Sequence, residues 1–224
     1  MRITLICSCG LVLEAGGKSL LIDVLTQELA PFYRAPQTLR RKIIEGAAPY
    51  DAVCGLLFTH LHPDHFDRLA AEAFAGNHEN TPVYIPSRRV PVPGVLLFGP
   101  FCVELHRVRH TPVPGYGVST VDAMIVSCEG KEVYIASDTA PDASIHASVL
   151  AGRSMDAAFW NGEMLLYPPE REALDVFAAR NFIYHIPPDP TDGLRRKLER
   201  ILARDTQAMK TVRLLEEYPS SITI

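Results

Sequence analysis

Thr59-His60-Leu61-His62-Pro63-Asp64-His65 crowds three imidazoles and a carboxylate into one short segment. Ahead of it, residues 52 to 59 form a short apolar run of the kind that makes a buried strand. Behind it, Phe66, Leu69, Ala70, Ala73 and Phe74 recur at helical spacing, which predicts a helix from Asp64 onward. His60 and His62 are two apart, so an extended turn points them to one side. Pro63 stiffens the turn, and Asp64 and His65 follow where the chain changes direction. One segment can therefore address two adjacent metal ions. Imidazole and carboxylate are ligands for zinc, and also for manganese or iron. Packing alone does not explain the cluster, because each unsatisfied buried polar group costs about 1–3 kcal/mol.

The rest of the chain is compositionally ordinary. Its 224 residues are 47% apolar and 21% charged, which excludes a disordered chain, collagen or a coiled coil. The formal net charge of −4 offers no electrostatic reason for a nucleic-acid or membrane partner. The basic run Arg195, Arg196, Lys197, Arg200 and Arg204 reads as the solvated face of a helix. The first apolar run stops at Ser8, too short for a signal peptide. Five cysteines, an odd number, imply free thiols. Together these features lead us to expect a cytoplasmic protein. Cys7 and Cys9 read as small strand residues sharing a face.

No repeat, linker or low-complexity tract divides the chain, so residues 1–224 read as a single domain. Apolar runs predict strands at 3–6, 11–13, 19–24, 52–59, 82–85, 94–97, 101–108, 121–128, 132–137, 156–160 and 182–185. Helices are expected at 37–47, from Asp64, at 169–179 and from Thr191 or Asp192, the last with an apolar stripe running on through Met209, Val212 and Leu215. Strands with interspersed helices suit a sheet core flanked by helices.

His-x-His-x-Asp-His after an apolar strand resembles the signature of the metallo-β-lactamase superfamily of hydrolases. Four further segments match that family's motifs in the same order: Leu20-Leu21-Ile22-Asp23-Val24, His110-Thr111-Pro112, Ser137-Asp138-Thr139 and Tyr184-His185-Ile186. The resemblance covers residues 3 to 187. It implies an α/β fold, a four-layer αββα sandwich of two mixed β-sheets flanked by helices. It also implies that His60, His62 and His110 bind one metal, that Asp64, His65 and His185 bind a second, and that Asp138 bridges them. Asp64 would orient the nucleophile or relay its proton. Asp23 would support catalysis from behind the ligands. The implied cofactors are two divalent ions, zinc first, then manganese or iron.

The implied activity is that of a dinuclear metal-dependent hydrolase. A metal-bridging hydroxide would cleave a small, anionic ester, phosphodiester or lactone. The opening stretch Leu11 to Asp23 and the Pro168-Pro169-Glu170 segment look like the small cytoplasmic branch related to ascorbate-phosphate lactonase. That branch carries Gly-His-Ser where this chain has Cys7-Ser8-Cys9. The alternative is a metal-binding ligand sensor or interaction module of the same fold without turnover. Partners expected are a small-molecule substrate, no nucleic acid and no membrane, with a homo-oligomer left open. Arg34, Arg88, Arg89, Tyr33, Tyr116, Trp160 and Glu163 are candidates for the pocket wall. Ser137 reads as structural, and His78, His106 and His146 as ordinary surface or strand residues.

Overall fold

The computed structural model describes residues 1–87, 92, 94–113, 117, 119–204 and 210–224. Alternation along the strands decides the layers. In β3 (Lys18–Ile22), Leu20 and Ile22 face one way and Leu21 the other. In β9 (Lys131–Ser137), Val133 and Ile135 oppose Tyr134 and Ala136. Strands apolar on both faces must be covered on both sides, and here they are.

The first sheet has six strands. β1 (Arg2–Leu5), β2 (Leu11–Ala15) and β3 are antiparallel neighbours. β4 (Val53–Leu57) and β5 (Val83–Tyr84) continue it in parallel, and β13 (Ser220–Thr223) closes the far edge against β1. The second sheet has seven. β6 (Val95–Phe98), β7 (Phe101–Arg109), β8 (Thr120–Cys128) and β9 are antiparallel. β10 (Ala157–Asn161), β11 (Asn181–Tyr184) and β12 (Val212–Leu214) then run parallel to β9. Leu11, Ile22, Phe101, Met124, Ile135 and Phe159 fill the space between the sheets. Helices α1 (Gln37–Glu45) and α2 (Arg68–Asn77) cover the outer face of the first sheet through Ile43 and Phe74. Helices α3 (Ala143–Leu150), α4 (Pro168–Phe177) and α5 (Gly193–Arg204) cover the second through Leu150, Leu174 and Leu198. The four-layer αββα arrangement expected from sequence is the arrangement found.

Three expectations need correction. Asp64 and His65 do not begin a helix. They lie in a tight turn in which the His65 and Phe66 amides donate to the His62 carbonyl at 3.0 and 2.8 Å. The helix starts at Arg68, where Asp67 caps it by accepting from the Ala70 amide at 3.2 Å. The apolar stripe of the last segment does not continue as one helix. α5 ends at Arg204, Val212 joins β12 and Leu215 enters the inter-sheet core; Met209 lies outside the described residues. Short apolar runs fit a period of 2 as well as 3.6, and pairing with β11 decides the matter. Finally, Cys7 and Cys9 sit in the buried turn after β1 rather than on a strand. All five cysteines are free thiols. No helix among the described residues is long and apolar enough to cross a membrane.

Candidate metal centre

The functional side chains follow the carboxyl ends of strands: Asp23 after β3, residues 59–65 after β4, His110 after β7, Asp138 after β9 and His185 after β11. β7 is antiparallel to β8, which is antiparallel to β9, so the carboxyl ends of β7 and β9 share one edge. Three of these exits use left-handed backbone at a non-glycine residue, with φ of 52° at Asp23, 51° at Ser137 and 56° at His185. Such residues cost about 1–3 kcal/mol and persist where the surroundings over-determine them.

Two groups of donors result. His60, His62, His110 and Asp138 form one, and Asp64, His65 and His185 the other; within each, one donor atom per residue lies within 4.8 Å of the rest. Asp138 stands between them. Its Oδ2 is 3.8 Å from His60 Nε2, 3.6 Å from His110 Nε2 and 3.5 Å from His65 Nε2, and its Oδ1 is 3.0 Å from His185 Nδ1. His185 Nε2 lies 3.1 Å from Asp64 Oδ2.

The hydrogen bonds behind the histidines decide which nitrogens carry lone pairs inward. His110 Nδ1–H donates to the Thr111 carbonyl. His65 Nδ1–H donates to Asp23 Oδ2 at 2.8 Å. The Thr59 hydroxyl donates to Asp23 Oδ2 at 2.6 Å and accepts from Ser137 Oγ at 2.7 Å. Its proton is thus committed, so His60 Nδ1, 3.1 Å away, is the donor to it. His60 and His110 then face each other through two lone pairs, with their Nε2 atoms 3.2 Å apart. Two lone pairs at that distance repel unless a cation lies beside both. Asp64 Oδ1 and His65 Nε2 are buried and make no hydrogen bond among the described residues. These donors therefore fit divalent cations, and the second-sphere hydrogen bonds fix their tautomers as metal sites require.

Electrostatics of the metal-free protein agree. Burial, reinforced by the neighbouring imidazoles, keeps His60 neutral well below its ordinary range and lowers His62 to about 4. Burial also opposes charge on His65 and His185, but carboxylates outweigh it. Asp138 and Asp23 hold His65 well above its usual range, and Asp138 and Asp64 raise His185 to about 9. Asp138, though buried, is held ionised by His185 and His65. A cation entering the second group must displace those protons.

Asp23 sits behind this arrangement. It is fully buried, accepts from the Thr59 amide at 2.8 Å, and lies outside the cleft that reaches the donors. It is thus placed to position His65 and Thr59 rather than to touch a substrate. The cleft offers about 150 Å³ and is walled by Leu29, Phe32, Val113, Leu194 and Glu163 above His62, Asp64, Asp138 and His185. Phe32 stacks on the His185 ring with centroids 4.0 Å apart.

Of the other wall candidates, Trp160 is buried in the second core and donates to Asn181 Oδ1, Tyr33 stacks on Tyr218, and Arg34 pairs with Glu28. Arg88, Arg89 and Tyr116 lie outside the described residues. His78 stacks on Phe74. His146 is neither a surface nor a strand residue. It is buried in α3, where its Nδ1 meets the Tyr134 hydroxyl at 2.9 Å.

Three contributors escaped sequence reading. Asn161 donates from Nδ2 to the Ser137 and Thr139 carbonyls, both at 3.0 Å, and so clamps the turn that bears Asp138. Thr111 donates to Glu163 Oε2 at 3.1 Å. Cys9 Sγ–H donates to the Asp64 carbonyl at 2.8 Å. Asparagine directly after an apolar strand and before Gly-Glu was the available signal for the first. The other two carry none.

No protein-family model matches the chain, and no curated protein does. Solved structures do. A possible metal-dependent hydrolase from Veillonella parvula superposes with a TM-score of 0.68 at 14% identity, over 100% of this chain and 99% of that one. An isothiocyanate hydrolase from Delia radicum gut bacteria gives 0.65 at 14% identity, with 100% and 99% covered. A metallo-β-lactamase fold protein from Bacillus subtilis gives 0.66 at 14% identity, with both chains fully covered. With two mixed sheets, flanking helices and a histidine-aspartate cluster at one sheet edge, this chain has the metallo-β-lactamase fold.

Proposed function

We propose that the chain is a dinuclear metal-dependent hydrolase of small esters, thioesters, lactones or phosphodiesters. The observation that carries this reading is the convergence of two donor groups on one carboxylate, Asp138, with committed protons behind His60, His65 and His110. His60, His62, His110 and Asp138 would hold one ion. Asp64, His65 and His185 would hold the other, with Asp138 reaching both. Bound divalent ions supply a Lewis acid and a hydroxide nucleophile near neutral pH. Asp64 lines the cleft, its buried Oδ1 makes no hydrogen bond among the described residues and its Oδ2 is tied to His185, which supports a role in holding or passing a proton. Asp23 keeps His65 in one tautomer. Nitrogen and oxygen donors suit zinc first, with manganese and iron served by the same set.

Metal analysis of the purified protein, with a screen of nitrophenyl esters, thioesters, lactones and bis-p-nitrophenyl phosphate, tests the reading. Two ions per chain are expected, with turnover abolished in His62→Ala and Asp64→Ala. Two tightly bound ions without turnover on any class would instead make the chain a metal-binding sensor. A protein that takes up no divalent ion would sink both readings.

A further inference from the structure

The sequence raises an expectation of an anionic substrate, and the cleft argues otherwise. Among the described residues, its wall above the donors is built by Leu29, Phe32, Val113 and Leu194, with Thr111, Asn161 and Gly162 beside them and one charged side chain, Glu163. Among the described residues no lysine or arginine lines it. Glu163 is not a loose surface acid. Its backbone amide donates to Asn161 Oδ1 at 3.1 Å, which caps the short 3-10 turn Gly162–Leu165, and its Oε2 accepts from Thr111, the residue after His110. Asn161 in turn clamps the Asp138 turn through Nδ2. Glu163 is thereby held at a set place relative to the donors by two independent anchors. Burial, opposed by the Thr111 hydrogen bond, raises its pKa in the metal-free protein.

Resting on the hydrolase reading above, we propose that Glu163 is a specificity-determining residue that selects substrates uncharged beyond the reacting carbonyl. Bound cations would meet the reacting oxygen. The remainder of the substrate lies against four apolar side chains, the uncharged Thr111 and Asn161, and one carboxylate. Away from the bound cations, a second anionic group there finds no cationic side chain among the described residues and faces like charge at short range. An aliphatic substituent, or one bearing a hydroxyl or amide N–H that donates to Glu163, is accepted. The substrate class is a neutral carboxylic ester, thioester or lactone with a small apolar group. Phosphodiesters and acids with a second carboxylate are disfavoured.

The test uses metal-loaded protein and two ligands with the same metal-binding head, butyrohydroxamate and succinate monohydroxamate, with binding measured by calorimetry. The wild type should bind the neutral ligand about tenfold more tightly or better, as like-charge juxtaposition demands. Glu163→Gln keeps the shape and the acceptor for Thr111. It should narrow that ratio to about threefold or less, chiefly by tighter binding of the succinate ligand. Equal affinities in the wild type would overturn the proposal, as would an unchanged ratio in Glu163→Gln. Failure of loaded protein to bind either ligand would overturn it too. Metal stoichiometry, measured on the same samples, shows separately whether the hydrolase reading stands.

Discussion

Asp23 divides its two oxygens among three donors: the Thr59 amide, the Thr59 hydroxyl and His65 Nδ1. It holds the β4 exit and one imidazole together at a position with left-handed backbone. Asp23→Asn keeps an acceptor for Thr59 but places an amide against His65. Metal affinity should fall about 10–100-fold, as for other outer-sphere partners, with the Asp64, His65 and His185 group affected more than the other. Competition with a chelating dye measures this. His185 gives a pH prediction of definite sign. Its pKa in the folded metal-free protein is about 9, above the ~6.5 of an unfolded chain. Its stabilisation is therefore complete below about pH 6.5 and lost as pH rises through 9. Thermal unfolding of chelator-treated protein should show this loss of stability, and His185→Gln should reduce it, leaving the part of the same sign that His65 contributes. The residues that show themselves in sequence are those with rare chemistry. His60, His62, His65 and Asp64 stand out because packing has no use for them together. Asn161 and Thr111 do the positioning with side chains found in any loop, so they stay silent until the turn they clamp is seen.

At the scale of elements, α2 depends on Asp67, which caps it and pairs with Arg40 Nη2 at 2.7 Å. Arg40 is buried and also donates to the Thr26 carbonyl. Asp67→Ala removes the cap and strands a buried guanidinium, so it should cost about 3–5 kcal/mol in urea unfolding. Asp67→Asn, which retains the cap, should cost less. α3 carries His146 among Tyr134, Trp160 and Phe177. Burial lowers its pKa to about 4, below the unfolded value, so the unfolded chain takes the proton first. Stability should fall as pH drops from about 6.5 to 4, by on the order of 3 kcal/mol from this residue. His146→Phe should flatten that part of the curve relative to wild type. The positions of β1 to β11 were legible because each is a short apolar run bounded by turn residues. The helix start after the histidine cluster was not. Asp64 and Asp67 are both suitable caps, and only the Arg40 contact and the tight turn at His62 favour the second. α3 escaped notice because its lone histidine and short length give no period, although Asp142 with Ser144 marks its start.

For the whole molecule, the donor groups tie the two sheets together at one edge. Asp23 and residues 59–65 leave the first sheet, while His110, Asp138 and His185 leave the second. Cations bound there act on folding by mass action and contribute about 4 kcal/mol at a thousandfold excess over Kd. For a chain of this size that corresponds to roughly 8–16 °C in Tm. Chelation should lower Tm by about that amount, read by scanning calorimetry, and re-addition of metal should restore it. A sheet core flanked by helices was readable from the short apolar runs, and the four layers from the resemblance that the order of the motifs carries. The closing strand β13 was not, because Ser220 to Thr223 has little apolar content and acquires its place only by pairing with β1. The double grip of Asn161 also has a consequence for how such a protein can diversify. The apolar wall residues come from three separate segments, Leu29 and Phe32 from one loop, Val113 from another and Leu194 from α5, and none of them is tied to Asn161. Glu163 cannot be retuned so freely, because the side chain that seats it also seats Asp138. Changes at 161 and 163 should therefore be strongly non-additive in a double-mutant cycle. A lineage shifting its preference would do so by replacing the acid itself or the loops around it, leaving the asparagine untouched.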